Sequence, residues 1–132
     1  MLSPCRFYEY ANCSTCRKAA AFLVSRGVAF ERIAIRETPP AAAELRHMLK
    51  LKGEVKRLFN THGQVFNTHG QDYRAMDLSG RLPSLPVEDA IRLLSENGNL
   101  VKRPFLWCGD GRGAVGFNPA EWEALFPPVP GT

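Results

Sequence analysis

The chain has 132 residues, of which 45% are hydrophobic and 23% charged, and its formal net charge is +4. Such values fit one globular domain with one core. They leave no membrane span, because the longest uncharged apolar stretch, residues 19–24, is far too short to cross a bilayer. The first residues, Met1-Leu2-Ser3-Pro4-Cys5, lack a basic region followed by an apolar run. No signal peptide is therefore expected, and the expected location is cytoplasmic. The basic residues are scattered. The densest group, Lys50, Lys52, Lys56 and Arg57, reads as a solvated helix face. No aromatic-basic platform is visible, so neither membrane nor direct nucleic-acid binding is expected.

In chain order, Arg6-Phe7-Tyr8-Glu9-Tyr10 is short and aromatic and reads as a strand. Ala11-Asn12 breaks it. A helix is predicted over residues 13–26, with Gly27 as its stop. Cys16, Ala19, Ala20 and Leu23 recur at helical spacing and give it one small apolar face. Residues 28–35 are β-branched enough for a second strand, parallel to the first through a βαβ connection. Thr38 followed by Pro39-Pro40 reads as a capping hydroxyl and first-turn proline. The helix it opens carries Leu45, Met48 and Leu49 and stops at Gly53; a short helical piece over residues 54–59 follows.

Residues 59–65 (FNTHGQV) and 66–72 (FNTHGQD) then repeat in tandem, identical at six of seven positions. One extra copy is too short for a solenoid and reads as a duplication that lengthens a loop. His62 and His69 stand seven apart with no acid or cysteine to complete a metal set, so no metal site is expected. Pro86-Val87-Glu88 opens another helix, with Val87, Ile91 and Leu94 on its buried face, ending at Asn97-Gly98. Residues 101–108 form a strand broken by Pro104. Gly109-Asp110-Gly111-Arg112-Gly113 turns it into a short strand at 114–117. Asn118, Pro119 and Glu121 cap a last helix.

The order is β-α-β, a helical insert, then α-β-β-α. This is an α/β, thioredoxin-like arrangement: βαβ plus ββα in a mixed four-stranded sheet. One domain over 1–132 is expected, with its core at about 5–36 and 100–126 and the insert at about 38–98.

Four cysteines are present: Cys5, Cys13, Cys16 and Cys108. The chain's size and ordinary core composition argue against a disulfide framework, and Cys5 and Cys108 do not form the second close pair that a structural zinc site needs. Cys5, inside a strand, reads as a buried structural thiol, and Cys108, at a hairpin edge, as incidental. Cys13-Ser14-Thr15-Cys16 stands where a strand ends and a helix begins. The free amides and the dipole of the helix start stabilise a thiolate at Cys13. Arg17 and Lys18 add positive charge. Cys16 lies one turn on, within reach of a disulfide. Cys13 can therefore attack a disulfide and Cys16 can resolve the product.

Five segments together resemble the ArsC/Spx family: Tyr10-Ala11-Asn12-Cys13-Ser14-Thr15-Cys16-Arg17-Lys18-Ala19; Glu37-Thr38-Pro39-Pro40; Leu58-Phe59-Asn60-Thr61 with Gly70-Gln71-Asp72-Tyr73-Arg74; residues 97–105, which include Lys102-Arg103-Pro104-Phe105; and Val115-Gly116-Phe117. The resemblance runs from Arg6 to about Phe126 and implies a thioredoxin-like fold with a helical insert. It places Arg103 beside Cys13, with Pro104 facing the cysteine through a cis peptide. It also implies arsenate reductases that hold the oxyanion with three arginines. Arg103 matches one, while the other two positions fall near Asn60-Thr61 and at Phe117. Arg57, Arg74 or Lys56 are the candidate substitutes. The family also holds Spx-type regulators that bind the RNA polymerase α-subunit, and Gly53 matches a glycine linked to that interface.

The expected function is thus a thiol-disulfide oxidoreductase with catalytic Cys13, Cys16 and Arg103. The candidate binding residues are Asn12, Arg17, Pro104, Arg57 and Arg74. No resident cofactor is expected; glutathione or a thioredoxin- or glutaredoxin-type reductant would donate electrons to this expected monomer. The alternatives implied by the resemblance are a redox-sensing regulator that binds the polymerase α-subunit and a glutathione- or glutaredoxin-linked arsenate reductase.

Overall fold

A computed structural model describes residues 5–60 and 84–128. In chain order its main elements are β1 (Cys5–Glu9), α1 (Ser14–Ser25), β2 (Phe30–Ala34), α2 (Ala42–Lys52), α3 (Val87–Glu96), β3 (Phe105–Trp107), β4 (Gly113–Val115) and α4 (Pro119–Leu125). Two compact units share them. One spans residues 1–34 and 103–132, and the other residues 35–102.

The first unit holds a four-stranded sheet in the order β2-β1-β3-β4. β1 runs parallel to β2, with Cys5 opposite Phe30 and Glu9 opposite Ala34. It runs antiparallel to β3, with Arg6 opposite Trp107 and Tyr8 opposite Phe105. β3 and β4 form the antiparallel hairpin. The mixed, thioredoxin-like sheet expected from the sequence is therefore present.

One core joins this sheet to α1 and α4. Phe7, Leu106 and Ala114 from the strands meet Cys16, Ala19, Ala20 and Leu23 of α1, and Trp122 and Phe126 at α4. Full burial of a side chain such as Leu23 or Phe7 stabilises by roughly 1.5–3 kcal/mol. Trp122 also satisfies its one polar atom, donating Nε1–H to the Gly116 carbonyl at 3.1 Å. α1 ends in a double bond pattern: Val28 N–H reaches the Leu23 carbonyl and Gly27 N–H the Val24 carbonyl, both at 3.1 Å. That motif needs a left-handed residue just past the helix, and Gly27 supplies it at φ 69°.

The second unit carries α2 and α3, two 3-10 turns (Val55–Leu58 and Gly98–Leu100) and an antiparallel bridge between Phe59 and Val101. Leu45, Met48, Leu58, Ile91, Leu94 and Leu100 are buried in it. Gly98 approaches the Ile35 carbonyl so closely that a side chain there would meet backbone.

Several expectations need correction. The α2 start is not at Thr38. Pro39 and Pro40 precede the helix, which opens after Ala41, whose N–H donates to the Glu44 carboxylate at 3.1 Å. Val87 is 48% exposed, and Ala90, Ile91 and Leu94 form the buried face of α3. Val87 is the first residue of α3, one turn ahead of the buried stretch, and shares its face without being covered.

The largest correction concerns Cys5 and Cys108, which are joined as a disulfide. The antiparallel β1–β3 register explains it. Stepping outward from Arg6 opposite Trp107 brings Cys5 opposite Cys108. Beyond Phe59 and Asn60 the duplicated segment, with His62 and His69, lies outside the described residues, as does Arg74. Among the described residues, no helix is long and apolar enough to cross a membrane.

Candidate active site

β1 delivers the chain to a tight turn, closed by the Cys13 N–H on the Tyr10 carbonyl at 3.1 Å. Cys13 is the N-cap of α1, with extended backbone at φ −101°, ψ 114°. A cap residue offers its side chain to the unpaired amides of the first turn. Here that side chain is a sulfur. Cys13 Sγ accepts the Cys16 N–H at 3.2 Å. Both cysteines are free thiols, Cys13 half-buried and Cys16 buried.

The two sulfurs are electrostatically unlike. The Cys16 thiol donates to the Cys13 sulfur, and this bond leads the causes that lower the Cys13 pKa from 9.0 to about 6. Partial burial opposes the shift, while the Cys16 amide, the Arg103 charge and the Thr15 amide reinforce it. Cys16 moves the other way. Its proton is held by the bond to Cys13, and burial penalises its charged form, so its pKa is raised. Cys13 is thus the thiolate at neutral pH and Cys16 the thiol.

Arg103 approaches from the start of β3. The Arg103–Pro104 peptide is cis, as the resemblance led us to expect. The Pro104 carbonyl accepts the Gly116 N–H at 2.8 Å, which ties this corner to the segment after β4. The Arg103 guanidinium lies over the Tyr10 ring, 5.3 Å from its centroid, a contact that holds a planar cation in place.

Around this centre, Asn12 is exposed beside Cys13, and Arg17 donates to the Ala11 carbonyl at 3.3 Å. Arg17 also borders a groove of about 490 Å³ with Glu9, Ala11, Arg32 and Ala34. The groove's Arg32 and Glu9 form a two-pronged ion pair at 2.7 and 3.2 Å. Arg57 belongs to the second unit, where its guanidinium donates to the Lys52 carbonyl at 3.3 Å. Tyr10, Glu9 and Arg32 escaped the sequence reading. Tyr10 stood in view as the residue before Ala11-Asn12, but nothing in the string shows that an arginine 93 positions later stacks on it.

A model of the ArsC family matches residues 8–125. The uncharacterized protein YusI of Bacillus subtilis is 34% identical over 118 residues, covering 89% of this chain and 93% of that protein. The regulatory protein MgsR of the same organism is 31% identical over 117 residues, covering 87% of this chain and 84% of that protein. Among solved structures, an ArsC family related protein from Bacteroides fragilis superposes with a TM-score of 0.79 at 37% identity, covering 93% of this chain and 98% of the other.

Proposed function

The chain belongs to the ArsC family, and we propose that within it the protein acts as a cytoplasmic thiol-disulfide oxidoreductase, with Cys13 attacking and Cys16 resolving. The observation that carries this reading is the bond arrangement at Cys13. Its sulfur takes a backbone donor at 3.2 Å and a thiol donor from the same residue, Cys16.

The steps follow from that arrangement. The Cys13 thiolate attacks one sulfur of a substrate disulfide. The substrate S–S bond breaks, a mixed disulfide forms on Cys13, and the departing thiolate takes up a proton. With the Cys13 sulfur no longer anionic, Cys16 loses its hydrogen-bond acceptor and can surrender its proton to water. Its thiolate attacks the Cys13 sulfur, releases the second substrate thiol and closes the Cys13–Cys16 disulfide. Two electrons have passed to the substrate. A thiol donor, glutathione or a thioredoxin- or glutaredoxin-type dithiol, returns them. Arg103 supports the thiolate by charge, and Arg17, Asn12 and Pro104 border the approach.

Arsenate is the less favoured substrate. Oxyanion binding draws on convergent charge-assisted donors, and Asn60 and Phe117 carry no charge where the resemblance implies arginines. Turnover of a glutathionylated disulfide and of arsenate, assayed in parallel, tests the assignment. Disulfide turnover is expected to dominate, and arsenate turnover of equal size would overturn it.

The similarity to a regulatory protein favours a second reading, in which oxidation of the same pair is the signal and the RNA polymerase α-subunit the partner. Capture of purified α-subunit by the oxidised or reduced protein tests it, with no capture in either state counting against it.

A further inference from the structure

Cys5 and Cys108 have no part in the chemistry just described. They sit at the end of the β1–β3 pair away from Tyr10 and Arg103, with 4% and 1% of their surfaces exposed. Neither amide crosses between the two strands at this step. Cys5 N–H donates to Ala29 at 3.1 Å, and Cys108 N–H to Arg112 at 2.9 Å. The covalent bond therefore ties β1 to β3 where the hydrogen-bond ladder does not, beyond its last paired residues, Arg6 and Trp107.

Both cysteines line a cavity of about 330 Å³, walled also by Arg26, Arg112, Asp110 and Phe126. That volume lies at the lower end of small-molecule pockets, about 300 Å³. The wall is fixed. Arg26 donates to the Phe126 carbonyl at 3.1 Å and pairs with Glu123 at 2.9 Å. Arg112 donates to the Leu125 carbonyl at 3.0 Å and pairs with Asp110 at 2.8 Å. Two guanidiniums thus satisfy the last carbonyls of α4 and hold the cavity open beside the disulfide.

We propose that Cys5–Cys108 is a second thiol-disulfide couple, reached through this cavity by a small thiol reductant, and that it acts as a redox-dependent strap between β1 and β3. A reductant thiolate attacks one cysteine sulfur, the Cys5–Cys108 bond breaks, and a mixed disulfide forms while the other cysteine leaves as a thiolate and takes up a proton. A second reductant thiol releases the adduct as its own disulfide, leaving two protein thiols. Two electrons and two protons enter in all. In a reducing compartment, where such bonds are usually transient or sensing, the strap reports a shift toward oxidation. Its chemistry does not depend on the Cys13 assignment.

The test uses the full chain carrying Cys13→Ser and Cys16→Ala, purified without reductant. Intact mass after alkylation in denaturant counts free thiols. None is expected before reduction, with a Cys5–Cys108 crosslink in the peptide map. Two are expected after incubation of the folded protein with dithiothreitol. The reduced protein is expected to melt about 10 °C lower, and removal of dithiothreitol under oxidised glutathione to restore the bond. Two free thiols at the outset that do not pair under oxidised glutathione would overturn the proposal. So would a bond that resists dithiothreitol in the folded protein and yields only in denaturant. Should the double variant not fold, differential alkylation and mapping of Cys5 and Cys108 in the wild-type chain asks the same question.

Discussion

At one end of the β1–β3 pair, Cys5 and Cys108 face each other across the strands; at the other, Cys13 and Cys16 stack along one helical turn. The residue type is the same and the chemistry is not. Cys13 meets a helix start, a thiol donor and a guanidinium, all of which favour its charged form. Cys5 and Cys108 are bonded to each other and belong to the buried apolar cluster that includes Phe7, Leu106, Trp122 and Phe126. The difference teaches that an acidic thiol comes from the donors aimed at a sulfur, whereas the pairing of two distant cysteines comes from strand register and packing.

The strongest way to break this comparison is to remove each pair in turn. Cys13→Ser is expected to abolish adduct formation with oxidised glutathione while keeping α1 capped, since serine is also a good N-cap. Cys16→Ser is expected to react once and stop at the mixed disulfide, because the resolving thiol is gone. Mass spectrometry reads both. An adduct on Cys16 in the wild type would reverse the roles.

The converse experiment is Cys5→Ala with Cys108→Ala. It removes a crosslink closing a loop of 103 residues, a class of bond that stabilises by about 2–4 kcal/mol. The expected result is a melting temperature lower by roughly 10 °C with adduct formation at Cys13 intact. Loss of that adduct at a temperature where the variant is folded would mean that the two ends are not chemically separate.

These two sites were unequally legible in the sequence. Cys13 and Cys16 are three positions apart at a strand-to-helix junction, and both the spacing and the junction are local. Gly27, Asn118 and Pro119 were readable for the same reason. The Cys5–Cys108 bond depends on which residues of β1 and β3 stand opposite each other, and register between distant strands leaves no mark on either segment alone. The Arg103–Tyr10 stack, the Glu9–Arg32 pair and the two arginines over the end of α4 are hidden likewise. Val87 was misread because one apolar residue at a helix start fits the period without being covered.

A finer separation comes from the donor at Cys16. Cys16→Ala removes the leading cause of the low Cys13 pKa, so that pKa is expected to rise from about 6 toward 9.0. Cys16→Ser keeps a hydrogen-bond donor and is expected to shift it less. At pH 7 a group of pKa about 6 is about 90% thiolate and one near 9 about 1%, so the alkylation rate of Cys13 separates the variants. Stability follows the same sign. A depressed folded-state pKa contributes stability that is fully present above the unfolded value near 9 and is lost as the pH falls through about 6. Thermal melts of the reduced wild type are therefore expected to rise between these values from this group, and those of Cys16→Ala to rise less.

The smallest effect expected is that of Arg103. Its charge ranks behind the Cys16 thiol and the Cys16 amide among the groups that lower the Cys13 pKa, and a half-exposed pair is screened by water and salt. Arg103→Gln removes the charge but keeps a planar polar head over Tyr10. Cys13 alkylation at pH 7 is expected to slow only a few-fold, with the pH midpoint moving upward by less than in Cys16→Ala and the difference shrinking as salt is raised. Arg103→Lys keeps the charge and loses the planar stack, whose closeness to the ring at 5.3 Å fixes the cation. If charge is what matters, lysine restores the midpoint and glutamine does not. If both variants shift it equally, the guanidinium acts by orienting the Tyr10 turn that presents Cys13. A glutamine variant indistinguishable from wild type at low salt would remove Arg103 from the site and leave the helix start and Cys16 to account for the acidity of Cys13.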